Sequence, residues 1–137
     1  MERTLTIVKP DAVAAGKAGA ILAHLEKEGF RLAAARKTRL STDQARAFYA
    51  VHRERPFYDA LVRFMTEGPV LVAALERSDA VAHLRKTMGA TDSRKAEAGT
   101  IRNLYGTDIE RNAIHGSDSA ENAAKEVAFF FSEAELI

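Results

Sequence analysis

The chain has 137 residues, 47% of them hydrophobic and 28% charged, and a formal net charge of +1. One domain of that length buries roughly two thirds of its unfolded surface, and so even a charge balance supplies no global field for nucleic acid or membrane. The absence of cysteine excludes disulfides, thiolate catalysis and thiolate metal sites. The apolar runs are shorter than a signal peptide or a bilayer span needs, and a cytoplasmic protein without a membrane partner is expected.

Thr4-Leu5-Thr6-Ile7-Val8 is short and partly β-branched, ends at Lys9-Pro10-Asp11, and reads as a strand. Ala18–Glu28 carries Ile21, Leu22 and Leu25 on one stripe and stops at Gly29, the pattern of an amphipathic helix with a glycine terminator. Phe30–Leu40 mixes apolar and basic residues like a partly exposed strand. Ser41-Thr42-Asp43-Gln44 has the capping-box form, with Ala45, Phe48, Tyr49 and His52 following at helical spacing until Pro56 interrupts. A helix resumes over Tyr58–Thr66, Gly68-Pro69 turns the chain, and Val70–Leu75 is a continuous apolar run suited to a central strand. Ser78 is placed to cap a helix reaching about Met88. Gly89–Ile109 reads as a long irregular stretch, Asn112–His115 as a short last strand, and Ala120–Phe131 as a final helix with apolar residues three and four apart. Neither repeats nor linkers divide residues 1–137. The order of strands and helices predicts an α+β, ferredoxin-like sandwich, with a four-stranded antiparallel sheet backed by helices on one face.

Chemistry gathers around Asn112-Ala113-Ile114-His115-Gly116-Ser117-Asp118-Ser119. Imidazole is a nucleophile that is largely neutral at pH 7, with an ordinary pKa of about 6.5, and the start of a helix beside it suits an anionic ligand. His115 is either such a nucleophile or a satisfied buried histidine; Glu126, one or two turns into the last helix, is placed to accept a proton from one ring nitrogen and leave the other free. Arg85, Thr91 and Arg102, with Arg94 and Lys95 in the same stretch, form either a phosphate clamp or a solvated basic loop. Lys9 at a strand end either points into a ligand crevice or into solvent. Phe57 stacks on a base or packs in the core, and Tyr49 offers its hydroxyl to a site or buries it. No histidine pair has the spacing and third ligand of a structural zinc site, and neither G-x-x-x-x-G-K-[ST] nor G-x-G-x-x-G is present.

Asn112–Ser119, read as N-x-x-H-G-S-D-S, resembles the active-site signature of the nucleoside diphosphate kinases. The resemblance runs from Arg3-Thr4 to about Phe131. It passes through Ile7-Val8-Lys9-Pro10-Asp11, Phe48-Tyr49 with His52 and Pro56-Phe57, Met65-Thr66-x-Gly68-Pro69-Val70, Gly89-Ala90-Thr91 and Gly99-Thr100-Ile101-Arg102. It implies an enzyme that moves the γ-phosphate of a nucleoside triphosphate to a diphosphate, ping-pong, through a phosphohistidine on His115. It implies that Glu126 holds the second ring nitrogen, that Tyr49 and Ser119 support the ring, and that Arg85, Thr91 and Arg102 clamp phosphates. Lys9 and Asn112 would bond the ribose, Lys9 also reaching phosphate, and Phe57, Leu61 and Ile109 would form the slot for the base. Mg²⁺ would arrive on the nucleotide rather than in a protein cage. Stacking alone would read no particular base.

The chain departs from the family pattern at Thr91-Asp92-Ser93-Arg94, where many members have Asn-Pro after the threonine. It departs again at Ala98, where proline is common, and at Asn103-Leu104-Tyr105, which replaces Gly/Ala-Asp-Phe. These changes spare the residues given chemical roles and touch a loop that takes part in subunit contacts in the larger assemblies of the family it resembles. The chain stops soon after the last helix. A homo-oligomer built from dimers, tetramer or hexamer, is expected, with nucleic acid not a primary ligand. On the residues alone, a nucleotide-binding module without turnover and a histidine-dependent phosphatase are the alternatives to a kinase.

Overall fold

In the computed structural model, which describes residues 1–137, β1 (Glu2–Val8) pairs antiparallel along its whole length with β3 (Val70–Arg77), from Glu2 opposite Arg77 to Val8 opposite Leu71. β2 (Arg31–Thr38) flanks β3 and the short β4 (Ile114–Gly116) flanks β1, giving the antiparallel order β2-β3-β1-β4. This is the ferredoxin-like α+β arrangement that the order of elements predicts.

Alternation along the two central strands builds two cores. Leu5, Ile7, Val70, Val72 and Ala74 face one layer, with α3 (Thr42–Phe48), α4 (Tyr58–Met65) and α7 (Ala120–Phe130) supplying Ala45, Val62, Met65, Val127 and Phe130. Val8, Ala73 and Leu75 face the other, closed by α1 (Pro10–Ala14), α2 (Ala18–Lys27), α5 (Ala80–Met88) and α6 (Ile101–Tyr105) through Ala12, Ile21, Leu25, Leu84 and Ile101. Helices therefore cover both faces, not one. The continuous apolar run of β3 is the sign of it, because a strand with one wet face alternates with polar residues.

Two local expectations also change. Ser78 does not cap α5; the residue directly before the helix is Asp79, which lies in the left-handed region (φ 55°) without a capping bond. The free N–H of Val81 is met instead by Glu2 Oε1 at 2.7 Å, from the start of β1. The stretch Gly89–Ile109 holds a 3₁₀ turn at Ser93–Lys95 and α6, whose entry is capped by the Thr100 hydroxyl accepting from Asn103 N. The Ser41–Gln44 capping box forms as read, with reciprocal bonds of 3.0 and 2.9 Å. No helix is long and apolar enough to cross a membrane.

Candidate active site

His115 stands in the middle of β4 opposite Ile7, and the Thr6 hydroxyl donates to its carbonyl at 2.8 Å. β4 lies this deep because the next residue is glycine. A Cβ on Gly116 would come within 2.8 Å of Met88 Sδ and 2.9 Å of Leu84 Cδ2, so α5 packs straight onto the strand. The close approach that Gly116 permits is to this helix.

The ring is held from three sides. Glu126 Oε1 lies 2.7 Å from His115 Nε2 and also accepts from the Ser117 hydroxyl at 2.8 Å. The rings of Phe48 and Tyr49 meet the imidazole edge-on, with centroids 5.4 and 6.2 Å away. An ionised carboxylate only accepts, so Nε2 is the donor, and in the neutral ring the lone pair sits on Nδ1. The Ser117 bond has a readable cause. Ser117 follows β4 directly and its N–H still donates to Leu5 O of β1 at 3.2 Å, so it keeps the strand's alternation and, two residues from His115, meets Glu126 on the same face.

His115 lines a cleft of about 520 Å³ that brings it together with Tyr49, Arg85, Thr91, Arg102 and Glu126 from the expected set. Phe48, Val51, Asp118, Asn122, Lys125 and Phe129 also line it, and of these the sequence marked only Asp118 and the helix spacing of Phe48. Arg102 is buried and aimed by two backbone carbonyls, Nη1 to Gly89 at 3.1 Å and Nη2 to Ile114 at 2.8 Å, with its Nε buried and unpartnered. The Tyr49 hydroxyl is buried without a partner, and burial followed by the Glu126 charge pushes its pKa up.

Lys9 and Asn112 stand behind the cleft wall. Lys9 is 7% exposed and donates to Asn112 Oδ1 at 2.8 Å, while Asn112 Nδ2 donates to the Thr91 carbonyl at 2.9 Å. Burial, and then the charge of Arg102, lower Lys9 to about 8; burial, and then Arg85, lower Arg102 to about 10. Burial is the larger cause in both, and the neighbouring guanidinium adds to it, so the region is one of positive potential that an anion would relieve.

The remaining expected residues lie outside the cleft. Ser119 is the N-cap of α7, its hydroxyl accepting from Asn122 N at 3.0 Å, so it fixes the helix that carries Glu126 and does not touch the ring. Phe57 is 48% and Ile109 60% exposed, Phe57 leaning on His52 with centroids 5.5 Å apart. Leu61 packs against the core from α4. Arg94 is tied to Asp92 by paired bonds of 3.0 Å. No group of three His, Cys, Asp or Glu side chains is placed to hold a metal ion.

The family model described as nucleoside diphosphate kinase matches residues 2–136. The chain belongs to the nucleoside diphosphate kinase family. It is 57% identical over 136 residues to the nucleoside diphosphate kinase of Acidiphilium cryptum, covering 99% of this chain and 97% of that one. The nucleoside diphosphate kinase of Sulfurimonas denitrificans is also 57% identical over 136 residues, at 99% of each. Among solved structures, that of the Aquifex aeolicus nucleoside diphosphate kinase superposes with a TM-score of 0.97 at 48% identity, covering 99% of both chains. The Halobacterium salinarum nucleoside diphosphate kinase, solved in complex with CDP, gives 0.95 at 42% identity, covering 99% of this chain and 91% of that one. As a member of the nucleoside diphosphate kinase family, this chain is an enzyme, a kinase that transfers phosphate between nucleotides.

Proposed function

We propose that the enzyme works ping-pong through a phosphohistidine on His115, with little preference among bases. The observation that carries this is the 2.7 Å contact of Glu126 with Nε2, which leaves Nδ1 uncommitted on a ring that lines the same cleft as Arg85 and Arg102. In the first half-reaction the Nδ1 lone pair attacks the γ-phosphorus, the bond from phosphorus to the β–γ bridging oxygen breaks, and the nucleoside diphosphate leaves. The positive charge on the ring is stabilised by Glu126 through the Nε2 proton. In the second, a terminal phosphate oxygen of another diphosphate attacks the same phosphorus, and the phosphorus–nitrogen bond breaks. Phosphoryl transfer of this kind needs in-line placement and neutralised charge more than covalent machinery.

Arg85, Thr91 and Arg102 take the phosphates, while Lys9 and Asn112 take the ribose hydroxyls, Lys9 also reaching phosphate. Phe57 offers a π-face to the base, with Leu61 and Ile109 beside it; every base has such a face, hence the breadth. Tyr49 supports the ring by packing, and Ser119 supports it through the α7 cap. Mg²⁺ carried on the nucleotide would supply further charge neutralisation. Asp118, the cleft carboxylate not engaged with His115, would be able to accept hydrogen bonds from water carried by that ion. The same reading makes the protein a cytoplasmic homo-oligomer, tetramer or hexamer, which light scattering on the eluting peak measures.

Incubation with ATP labelled at the γ-position and Mg²⁺ is expected to give an acid-labile, base-stable label, chased by any unlabelled diphosphate. His115→Ala should lose both label and transfer. A label that persists in that variant would overturn the assignment.

A further inference from the structure

Immediately before the reactive strand the backbone does something that the chemistry above leaves unexplained. Ala113 has φ of 72°, although it is not glycine, and it is fully buried. Ile114 N donates to Asn112 O at 2.9 Å across it, which makes Ala113 the centre of a γ-turn with positive φ, a rare and strained form. A strained turn of this sort persists only where its surroundings over-determine it.

The surroundings are the corner between β1 and α1. Lys9 N donates to the Ala113 carbonyl at 2.8 Å, and the Asp11 side chain, through Oδ2, accepts from Ala113 N at 3.1 Å. Asp11 thus stands in for a neighbouring strand at the point where β4 has not yet begun. Its other oxygen, Oδ1, is buried and has no partner, and no step of phosphoryl transfer as described uses this carboxylate.

What the turn sets is the register of the site. On one side of it, Asn112 bridges Lys9 and the Thr91 carbonyl; on the other, the Ile114 carbonyl aims Arg102, and His115 follows directly. If Ala113 relaxed to negative φ, the side chain of Asn112 and the carbonyl of Ile114 would rotate relative to each other. The clamp and the nucleophile would then part company.

We propose that Asp11 is a positioning residue for the transfer: by holding the γ-turn at Ala113 it fixes Asn112 and His115 relative to Lys9 and Arg102. This rests on His115 as the nucleophile, and the wild-type phosphoenzyme is the control for that reading. No wild-type label would count against His115, not against Asp11. Single-turnover labelling at saturating ATP is compared in Asp11→Ala, Asp11→Asn, Ala113→Gly and the double variant Asp11→Ala/Ala113→Gly, at a temperature where circular dichroism shows each one folded.

Misplacement of a reacting group by about 1 Å costs up to ~100-fold in rate, so Asp11→Ala is expected to label about 10- to 100-fold more slowly than wild type. Asp11→Asn, whose amide oxygen still accepts from Ala113 N, should stay within about threefold. Glycine takes positive φ without strain, so the double variant should recover most of the rate that Asp11→Ala loses. Should Asp11→Ala not fold, the double variant carries the test by folding and labelling. The proposal is overturned if Asp11→Ala labels at the wild-type rate, if Asp11→Asn is as slow as Asp11→Ala, or if glycine at 113 restores nothing.

Discussion

At the scale of single residues, the site depends on one carboxylate oxygen doing two things. Glu126 Oε1 takes the His115 Nε2 proton and the Ser117 hydroxyl together. The hydroxyl bond holds the carboxylate in place, and Ser117 is fully buried, so water does not replace it. Hydrogen bonds to charged groups contribute about 1.5–3 kcal/mol. Ser117→Ala is therefore expected to lose about 2 kcal/mol of stability and to slow His115 phosphorylation roughly tenfold, since the freed carboxylate no longer fixes which way the ring faces. Denaturant melts and single-turnover labelling measure the two effects separately. A variant with lowered stability and an unchanged labelling rate would show that the serine supports the fold alone.

At the scale of elements, Gly116 and Ser119, three positions apart, act through different helices. Ser119 belongs to α7, where its hydroxyl ends the open first turn, and loss of such a cap costs about 1 kcal/mol. Ser119→Ala should lower the melting temperature by a few degrees and change turnover by less than threefold, because Glu126 sits two turns further along and is held by Ser117 as well. Gly116 belongs to the contact of β4 with α5. A methyl group there meets Met88 and Leu84 at under 3 Å, and overpacking of that kind costs about 1–3 kcal/mol. Gly116→Ala is expected to lose both stability and turnover, since the strand that must move is the one carrying His115. Equal kinetic losses in the two variants would contradict this division of labour.

At the scale of the whole molecule, what the sequence reveals is what local chemistry decides. The capping box at Ser41–Gln44 and the double-sided apolar run of β3 need no knowledge of the rest of the chain. α6 is different: five residues do not hold a helix by propensity, and it stands because Ile101 is buried under α5 and Arg102 is bonded to Gly89 and Ile114. Alanine gives no sign of a left-handed backbone, so the turn at Ala113 is invisible until β1 and β4 are brought together. The burial of Lys9 is likewise long-range, since its partner Asn112 lies 103 positions away. That burial gives the molecule a pH dependence. In the unfolded chain the ammonium titrates near 10.5; in the folded chain it titrates near 8. Below about pH 8 it is charged in both states and its burial opposes folding in full. Between about 8 and 10.5 the unfolded chain holds a proton that the folded chain has released, so this contribution to stability rises with pH. Nucleotide binding runs the other way. A polyphosphate favours the charged amine, so binding at pH 9 is expected to take up about one proton, and affinity should fall as pH rises above 8. Calorimetry in two buffers of different ionisation enthalpy measures that uptake directly. Lys9→Met should bind more weakly at pH 7 and take up none. Equal uptake by the wild type and the variant would mean that the proton belongs to another group, and that Lys9 does not reach the phosphates.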